Sequence, residues 1–235
     1  MSTIEYRVEQ KYLVSDLDLV LIASRLRTVM EADIHQEGDC YEVRSIYFDD
    51  AYDSCMDENE DGVDNRKKYR IRTYDTPGAP LRLEIKEKYR GYTKKTGCEL
   101  DRDTYEGILS GENLPEFGSD PAMNQLLLQM NCRKMEPKIA VVYQRTAFVY
   151  PAGNVRITFD RNIMASRDLD SFLDPHVSAL VPVLPVGMHV LEVKYDELLP
   201  DVIAGQLEVG KLRQTAFSKY YLGRLAVNGA FPVEK

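Results

Sequence analysis

The sequence has no tryptophan, only three histidines and only four cysteines, and these shortages exclude several kinds of site. The cysteines form no C-x-x-C pair and no zinc-type spacing, so we expect free thiols in a reducing compartment. The histidines show no metal-ligand spacing either. Because no G-x-G-x-x-G or G-x-S-x-G motif is present, the sequence gives no signal for a dinucleotide-binding turn or a serine hydrolase.

Long apolar runs are also missing. The two most apolar stretches, residues 17–23 and 177–187, are too short to span a bilayer. The N-terminal residues lack the basic-then-apolar order of a signal peptide. We therefore expect a cytoplasmic protein, and a membrane-protein partner, if there is one, is not identifiable from the sequence.

Acidic residues outnumber basic ones, 38 to 30, which gives a formal net charge of −8. Bulk attraction to nucleic acid or to an anionic membrane is therefore not expected, and we predict no nucleic-acid partner. Any anion-binding role must come from local segregation of charge. The length of 235 residues and the 44% apolar content fit one large globular domain, or two small ones at most.

Short alternating segments rich in β-branched and aromatic residues dominate the chain, and helical patterns lie between them. We predict a helix that begins with a capping box at Ser15 and runs to about Met30, with Leu17, Val20, Leu21 and Val29 inward. Asp101, residues 120–121 and residues 217–227 mark three further helices, and the acidic run 56–65 is predicted as a solvated loop. The predicted strands are residues 6–14, 41–49, 68–74, 81–89, 138–150, 155–160 and 190–195. This order favours an antiparallel α+β domain.

Charged residues share one face of several predicted strands. Side chains alternate across a strand, so Arg70 and Arg72 lie on the same face, as do Glu192 and Lys194. The pattern recurs in three other strands, where one face carries Arg7, Glu9 and Lys11, or Arg82, Glu84, Lys86 and Lys88, or Arg156, Thr158 and Asp160.

Two interpretations of these faces are open. They are the wet outer surface of an ordinary sheet, or the sheet closes and they surround a water-filled lumen suited to a linear polyanion. The repetition of basic residues in a protein of net negative charge favours the second interpretation, although periodicity does not prove closure.

Eight stretches of the sequence match, in order, the motifs of a known family: residues 7–15, 43–50, 67–74, 83–88, 137–148, 155–160, 191–200 and 217–221. Each motif is weak by itself, but eight occur in family order, so the resemblance covers nearly the whole chain. The chain is similar to the VTC (vacuolar transporter chaperone) polyphosphate polymerase domain of the CYTH-like triphosphate tunnel superfamily, and most of all to its bacterial single-domain relatives.

The resemblance implies a single triphosphate tunnel domain over residues 1–235. Its fold would be a closed antiparallel β-barrel of about eight strands with helices packed outside. Its function would be polyphosphate polymerase activity, in which Mn²⁺ or Mg²⁺ assists transfer of the ATP γ-phosphoryl to a growing polyphosphate chain. The partners would be ATP and polyphosphate or tripolyphosphate.

The resemblance also implies roles for individual residues. Glu192 would bind the metal, with Glu9 as the next candidate. Apart from the resemblance, we expect the tyrosines to pack the strands, although Tyr47, Tyr143 or Tyr220 could donate to phosphate. We expect Asp160 to pair with a tunnel arginine rather than to reach a metal through water. The implied catalytic residues are Lys86, Arg70, Arg72, Lys194 and Lys219, and the further phosphate ligands are Lys11, Arg44, Lys95, Arg145, Arg156 and Arg7.

One position departs from the superfamily pattern. The usual E-x-E-x-K opening becomes Arg7-Val8-Glu9-Gln10-Lys11, so a possible metal ligand is replaced by a possible phosphate ligand. The change fits the polymerase branch better than the hydrolytic or cyclase branches and argues against a two-metal site. Two alternatives stay open, a non-catalytic polyphosphate- or triphosphate-binding module and an inorganic tripolyphosphatase.

Overall fold

The computed structural model describes residues 7–34, 36, 38–75, 79–89, 92–208 and 212–230. Within these residues the chain forms ten strands and six α-helices. The strands are β1 (Val8–Ser15), β2 (Glu31–Ala32), β3 (Tyr41–Asp49), β4 (Arg66–Tyr74), β5 (Leu81–Tyr89), β6 (Tyr92–Leu100), β7 (Glu136–Tyr150), β8 (Val155–Ser166), β9 (Val181–Pro182) and β10 (Met188–Tyr195). The helices are α1 (Asp16–Leu26), α2 (Ser54–Glu60), α3 (Arg102–Ser110), α4 (Pro121–Arg133), α5 (Asp201–Leu207) and α6 (Lys219–Val227).

The chain divides into two units, each assembled from three stretches of sequence. The first unit comprises residues 1–42, 143–163 and 182–217, and the second comprises residues 43–142, 164–181 and 218–235. In the first unit the hydrogen-bonded strand order is β1-β10-β8-β7, with β2 also paired to β7. In the second unit it is β7-β3-β4-β5-β6.

The predicted antiparallel α+β class is confirmed. The pairs β1–β10, β10–β8, β3–β4, β4–β5 and β5–β6 are all antiparallel. The strand order begins at β1 and ends at β6, and closure of the sheet into a barrel stays a prediction. The single domain over residues 1–235 also stays a prediction.

The start of α1 was predicted correctly. The Ser15 hydroxyl accepts a hydrogen bond from the Asp18 backbone N–H, and the Asp18 carboxylate accepts one from the Ser15 N–H. This capping box satisfies two donors that the first helical turn leaves without a partner. The helix ends at Leu26, earlier than the predicted Met30.

The predicted buried face of α1 was wrong. Leu17 and Val20 are 67% and 62% exposed, Leu21 is also exposed and Val29 is half-buried. The run from residue 17 to 23 is apolar at almost every position, so the hydrophobic pattern alone does not select one face. The residues of α1 that pack into the core of the first unit are Leu19, Ile22, Ala23 and Leu26, beside Ile157, Phe159, Leu191 and Val193 of the sheet.

The acidic segment after β3 was predicted as a loop, but residues 54–60 form α2. The fully buried Asp49 carboxylate accepts hydrogen bonds from the Cys55 and Met56 N–H groups, and Asp50 accepts one from Ser54. Carboxylates at a helix start satisfy its unpaired donors and oppose its dipole, so these two aspartates favour the helix. The sequence pattern missed this helix because its caps come from the preceding strand.

Helix α6 packs very closely on β7 within the second unit. A Cβ at Gly223 would lie 2.8 Å from Ile139 Cδ1, too close for a van der Waals contact. The glycine therefore permits a close approach that a larger side chain would prevent. This packing fixes the helix whose first residue is Lys219.

Most other boundaries agree with the predictions within a few residues, but β8 ends six residues later than predicted, and the strands β2, β6 and β9 were not predicted. Segments 41–49 and 81–89 are strands as predicted, and α3, α4 and α6 lie where expected. Tyr6, the predicted first strand residue, lies outside the described residues. Strand β6 was missed because YTKKTGCEL shows little apolar alternation. None of the described helices is both long enough and apolar enough to cross a membrane.

Candidate functional site: two charged clusters

The first cluster lies on adjacent strands of the first unit. The register places Lys11 of β1 opposite Glu192 of β10, which lies opposite Thr158 of β8. The next row on the same face contains Glu9, Lys194 and Arg156. Alternate residues of these strands enter the apolar core, so the charged side chains occupy the other face, as the sequence predicted.

Four residues of this face form a closed set of ion pairs, which we call the carboxylate–lysine ring: Glu9, Lys11, Glu192 and Lys194. Lys11 Nζ lies 2.9 Å from Glu9 Oε1 and 3.7 Å from Glu192 Oε2. Lys194 Nζ lies 2.5 Å from Glu192 Oε1 and 3.7 Å from Glu9 Oε2. Each lysine thus lies between both carboxylates, and Glu192 is the most buried member of the ring.

Beside the ring, Arg145 and Asp160 form a buried bidentate pair. Arg145 Nε and Nη2 donate to the two Asp160 oxygens at 2.7 and 2.8 Å, and Asp160 is fully buried. Burial would lower the pKa of Arg145, but the attraction of Asp160 outweighs it and holds the pKa well above its ordinary value. The expectation that Asp160 pairs with an arginine is confirmed. Tyr143 lies against the Arg145 guanidinium, whose central carbon is 5.2 Å from the ring centroid.

Arg156 and Arg7 have carboxylate partners in the first unit as well. Arg156 Nη2 lies 2.8 Å from Asp33 Oδ2 and donates to the Tyr41 hydroxyl at 3.3 Å. Arg7 Nε lies 3.1 Å from Asp196 Oδ1, at the exposed end of β1. Asp33 was not among the predicted site residues, because it lies outside every alternating segment.

The second cluster lies on β4, β5 and β6 of the second unit, and we call it the arginine–lysine cluster: Arg70, Arg72, Glu84, Lys86 and Lys95. Arg70 Nη2 lies 2.6 Å from Glu84 Oε2, and Arg72 Nη1 lies 3.7 Å from the same oxygen. The ammonium group of Lys95 contacts the other Glu84 oxygen. Three cations therefore meet at one buried carboxylate.

The electrostatic field of this cluster is positive. Burial would raise the pKa of Glu84, but Arg70, Arg72 and Lys95 outweigh it and lower the pKa to about 2. Burial would likewise raise the pKa of Tyr47, yet Arg70, Arg72 and Lys219 together lower it. Nearby cations and a hydrogen bond that favours the phenolate both lower the pKa of a buried phenol, and Arg70 contributes in both ways.

Three lysines form a row across the same sheet, through the position two residues after Glu84 on β5. Lys68 of β4 pairs in register with Lys86 of β5, which pairs with Lys95 of β6. Lys68 Nζ donates to the Ser218 hydroxyl at 2.8 Å, next to Lys219 in sequence. Lys68 was not predicted as a site residue, although its two-residue spacing from Arg70 is the signal that indicates it.

Two predicted ligands have structural partners. Arg44 is buried and donates to the backbone carbonyls of Phe172 and Pro175, both at 2.9 Å, and also to that of Asp174. The Tyr220 hydroxyl donates to the Asp49 carboxylate at 2.5 Å and accepts from Arg224 at 2.8 Å. The bond between Tyr220 and Asp49 ties α6 to β3 within the second unit.

The described residues contain no group of three or more histidine, cysteine, aspartate or glutamate side chains that could hold a metal ion. The carboxylate–lysine ring nevertheless supplies two carboxylates, Glu9 and Glu192, which contact the same two lysines. Mg²⁺ and Mn²⁺ are often held by one or two carboxylates, with phosphate oxygens and water as the other ligands. The donor set therefore fits a metal that arrives with a phosphorylated substrate.

Comparison with known proteins identifies the family of the chain. The sequence model of the VTC domain family matches residues 6–228. No curated protein matches the chain.

Two solved structures show the same fold at low sequence identity. One, from Bacillus halodurans, is provisionally called an adenylate cyclase, with a TM-score of 0.51, 14% identity and 87% of each chain covered. The other, from Hippeastrum, is provisionally called an adenylyl cyclase and is described as having a dominant triphosphatase activity. Its TM-score is 0.54, with 12% identity and 97% of each chain covered.

Proposed function

Because this chain belongs to the VTC domain family, we propose that it is a metal-dependent polyphosphate polymerase that transfers the ATP γ-phosphoryl to polyphosphate. The observation that supports the proposal most is the composition of the two clusters. One combines lysines with two carboxylates suited to a metal, and the other gathers cations at one carboxylate. We also propose that the sheet closes into the tunnel that the family resemblance implies.

The arginine–lysine cluster is suited to a polyphosphate chain. Guanidinium groups can hold phosphate oxygens in bidentate pairs, and lysines supply mobile point charges. Arg70 and Arg72 would exchange part of their contact with Glu84 for phosphate oxygens, and Lys86 and Lys95 would neutralise the neighbouring phosphates. A positive field strong enough to lower the pKa of Tyr47 supports this role.

The carboxylate–lysine ring is suited to the metal. Glu192, with Glu9, would hold Mn²⁺ or Mg²⁺, and Lys11 and Lys194 would contact the phosphate oxygens that they lie beside. The metal would neutralise charge that develops on the transferring phosphoryl group. Arg156 of the neighbouring strand β8 and Arg145 of β7 would add positive charge.

The transfer itself needs no strong general base. The bond from the ATP γ-phosphorus to its bridging oxygen breaks, ADP leaves, and a new bond forms to a terminal oxygen of polyphosphate. That acceptor oxygen is already anionic, so catalysis depends on positioning and charge neutralisation. In this proposal the two clusters would supply both.

The experiment is to incubate the purified protein with ATP and Mn²⁺ and measure acid-labile polymer. The unsubstituted protein is expected to form polymer and release ADP, and Lys86→Ala or Glu192→Gln is expected to abolish polymer formation. Asp196→Asn, which alters a partly exposed carboxylate just after β10, is the control and is expected to keep activity.

Two other outcomes would replace the proposed activity, and a third would remove the roles of two residues. Release of orthophosphate from tripolyphosphate without chain growth would indicate an inorganic tripolyphosphatase. Salt-sensitive binding of tripolyphosphate without ATP consumption would indicate a binding module. Full polymer synthesis by both variants would contradict the roles given to Lys86 and Glu192.

A further inference from the structure

Two buried polar atoms of β8 have no hydrogen-bond partner within the described part of the chain: Thr158 Oγ1 and Arg156 Nε. Thr158 is 3% exposed. The two residues are separated by Ile157, which enters the apolar core, so their side chains leave the strand on the same, charged face. A buried hydroxyl or N–H group without a partner destabilises a protein, so both atoms require an explanation.

The carboxylates nearest to Thr158 in the sheet have cation partners of their own. Glu192, directly across from Thr158 in the register, has Lys194 Nζ 2.5 Å from its Oε1. Asp160, two residues further along β8, accepts both donors of Arg145. The Thr158 hydroxyl therefore lies among charged groups whose ion pairs are complete without it.

The other donors of Arg156 fix the orientation of its guanidinium group. Nη2 lies 2.8 Å from Asp33 Oδ2 and 3.3 Å from the Tyr41 hydroxyl, which anchors that end of the side chain. Nε keeps its single N–H. Arg156 Nε can only donate, and a threonine hydroxyl can donate as well, so the two groups together suit an oxygen acceptor that carries negative charge.

We propose that Thr158 and Arg156 Nε together bind one phosphoryl group of the substrate, which makes Thr158 a further phosphate ligand. The inference rests on the proposed function, since it assigns the ligand chemistry of the same cluster. Lys194, directly opposite Arg156 in the register, is the cation nearest in position to balance the added charge. The described residues give the buried hydroxyl no hydrogen-bond partner, and a bound phosphoryl oxygen would supply the acceptor.

The test compares two substitutions at Thr158 with a matched control. Thr158→Val removes the hydroxyl and keeps the shape, whereas Thr158→Ser keeps the hydroxyl. Thr146→Val is the control, because Thr146 is another buried threonine of the first unit, 7% exposed, whose hydroxyl already donates to the Asp39 carbonyl at 2.8 Å. Affinity for sodium tripolyphosphate is measured by calorimetry in the presence of Mg²⁺, and Tm is measured without ligand.

Thr158→Val is expected to bind tripolyphosphate about tenfold more weakly or worse, the usual loss for a hydrogen bond to a charged group. Its Tm without ligand is expected to stay the same or rise, because an unsatisfied buried hydroxyl has been removed. Thr158→Ser is expected to bind nearly as the unsubstituted protein does. Thr146→Val is expected to lower Tm and to leave the affinity unchanged.

Unchanged affinity in Thr158→Val would overturn the inference, whether or not the Tm falls as it does in Thr146→Val. In either case, binding by the unsubstituted protein would leave the proposed function standing. If the unsubstituted protein itself failed to bind tripolyphosphate, the proposed function would fail and the inference would fail with it.

Discussion

The two charged clusters differ in how their charges are balanced. In the first unit, Lys11, Arg145, Arg156 and Lys194 each contact a carboxylate, and four carboxylates take part: Glu9, Asp33, Asp160 and Glu192. In the second unit, Arg70, Arg72 and Lys95 meet at Glu84. In the proposed function, the carboxylates of the first arrangement would hold the metal and the cations of the second would bind phosphate. Similar strand patterns would then serve two different chemical tasks.

The largest expected effect is a loss of stability in the first unit, where each of these cations has a carboxylate partner. Asp160→Asn would leave Arg145 buried without its carboxylate, and breaking a buried pair in this way costs about 3–5 kcal/mol in the free energy of unfolding. Denaturant unfolding would measure the loss. Asp196→Asn is the control, since its pair with Arg7 is partly exposed and is worth about 1 kcal/mol or less. Equal effects from both variants would contradict the structural importance given to Asp160.

A smaller loss of stability is expected in the arginine–lysine cluster of the second unit. Glu84→Gln would leave three cations without their shared carboxylate, at a cost of roughly 3 kcal/mol, the value that corresponds to a pKa lowered from 4.5 to about 2. Added tripolyphosphate should raise the Tm of this variant more than that of the unsubstituted protein. Glu87→Gln on the same strand removes an exposed pair with Lys67 and should change little. An equal Tm gain in all three proteins would remove the distinction between the clusters.

The smallest expected effect concerns pH. The pKa of Glu84 is lowered in the folded protein, so its stabilising contribution is complete above 4.5, the ordinary value, and is lost as the pH falls toward about 2. Between pH 7 and pH 4 the unsubstituted protein should therefore lose about 1 kcal/mol relative to Glu84→Gln. Urea unfolding at both pH values would measure it. A stability difference that widens on acidification would have the wrong sign.

Much of the fold could be predicted from sequence because several strands alternate between apolar and charged residues. The two-residue period placed Arg70 with Arg72 and Glu192 with Lys194 on common faces, and the structure brings each pair together around shared partners. The two-residue period does not determine the register between neighbouring strands. For that reason the meeting of three cations at Glu84 was not predicted.

The errors have identifiable physical causes. The face of α1 was wrong because apolar residues occupy nearly every position from 17 to 23, so periodicity could not select one side. Helix α2 was missed because Asp49 and Asp50 cap it from the preceding strand. Thr158 looked like an ordinary strand residue, and only its burial without a hydrogen-bond partner among the residues that the structure describes indicates a role.

The most direct test of the division between the clusters is a crossed titration. Tripolyphosphate binding would be measured with Mn²⁺ and with EDTA, in the unsubstituted protein, Glu192→Gln and Lys86→Ala. We predict that Glu192→Gln loses the gain in affinity that Mn²⁺ provides but binds tripolyphosphate in EDTA at least as tightly as the unsubstituted protein. Lys86→Ala should bind weakly in EDTA and still respond to Mn²⁺. Equal losses under both conditions in both variants would contradict separate metal and phosphate tasks.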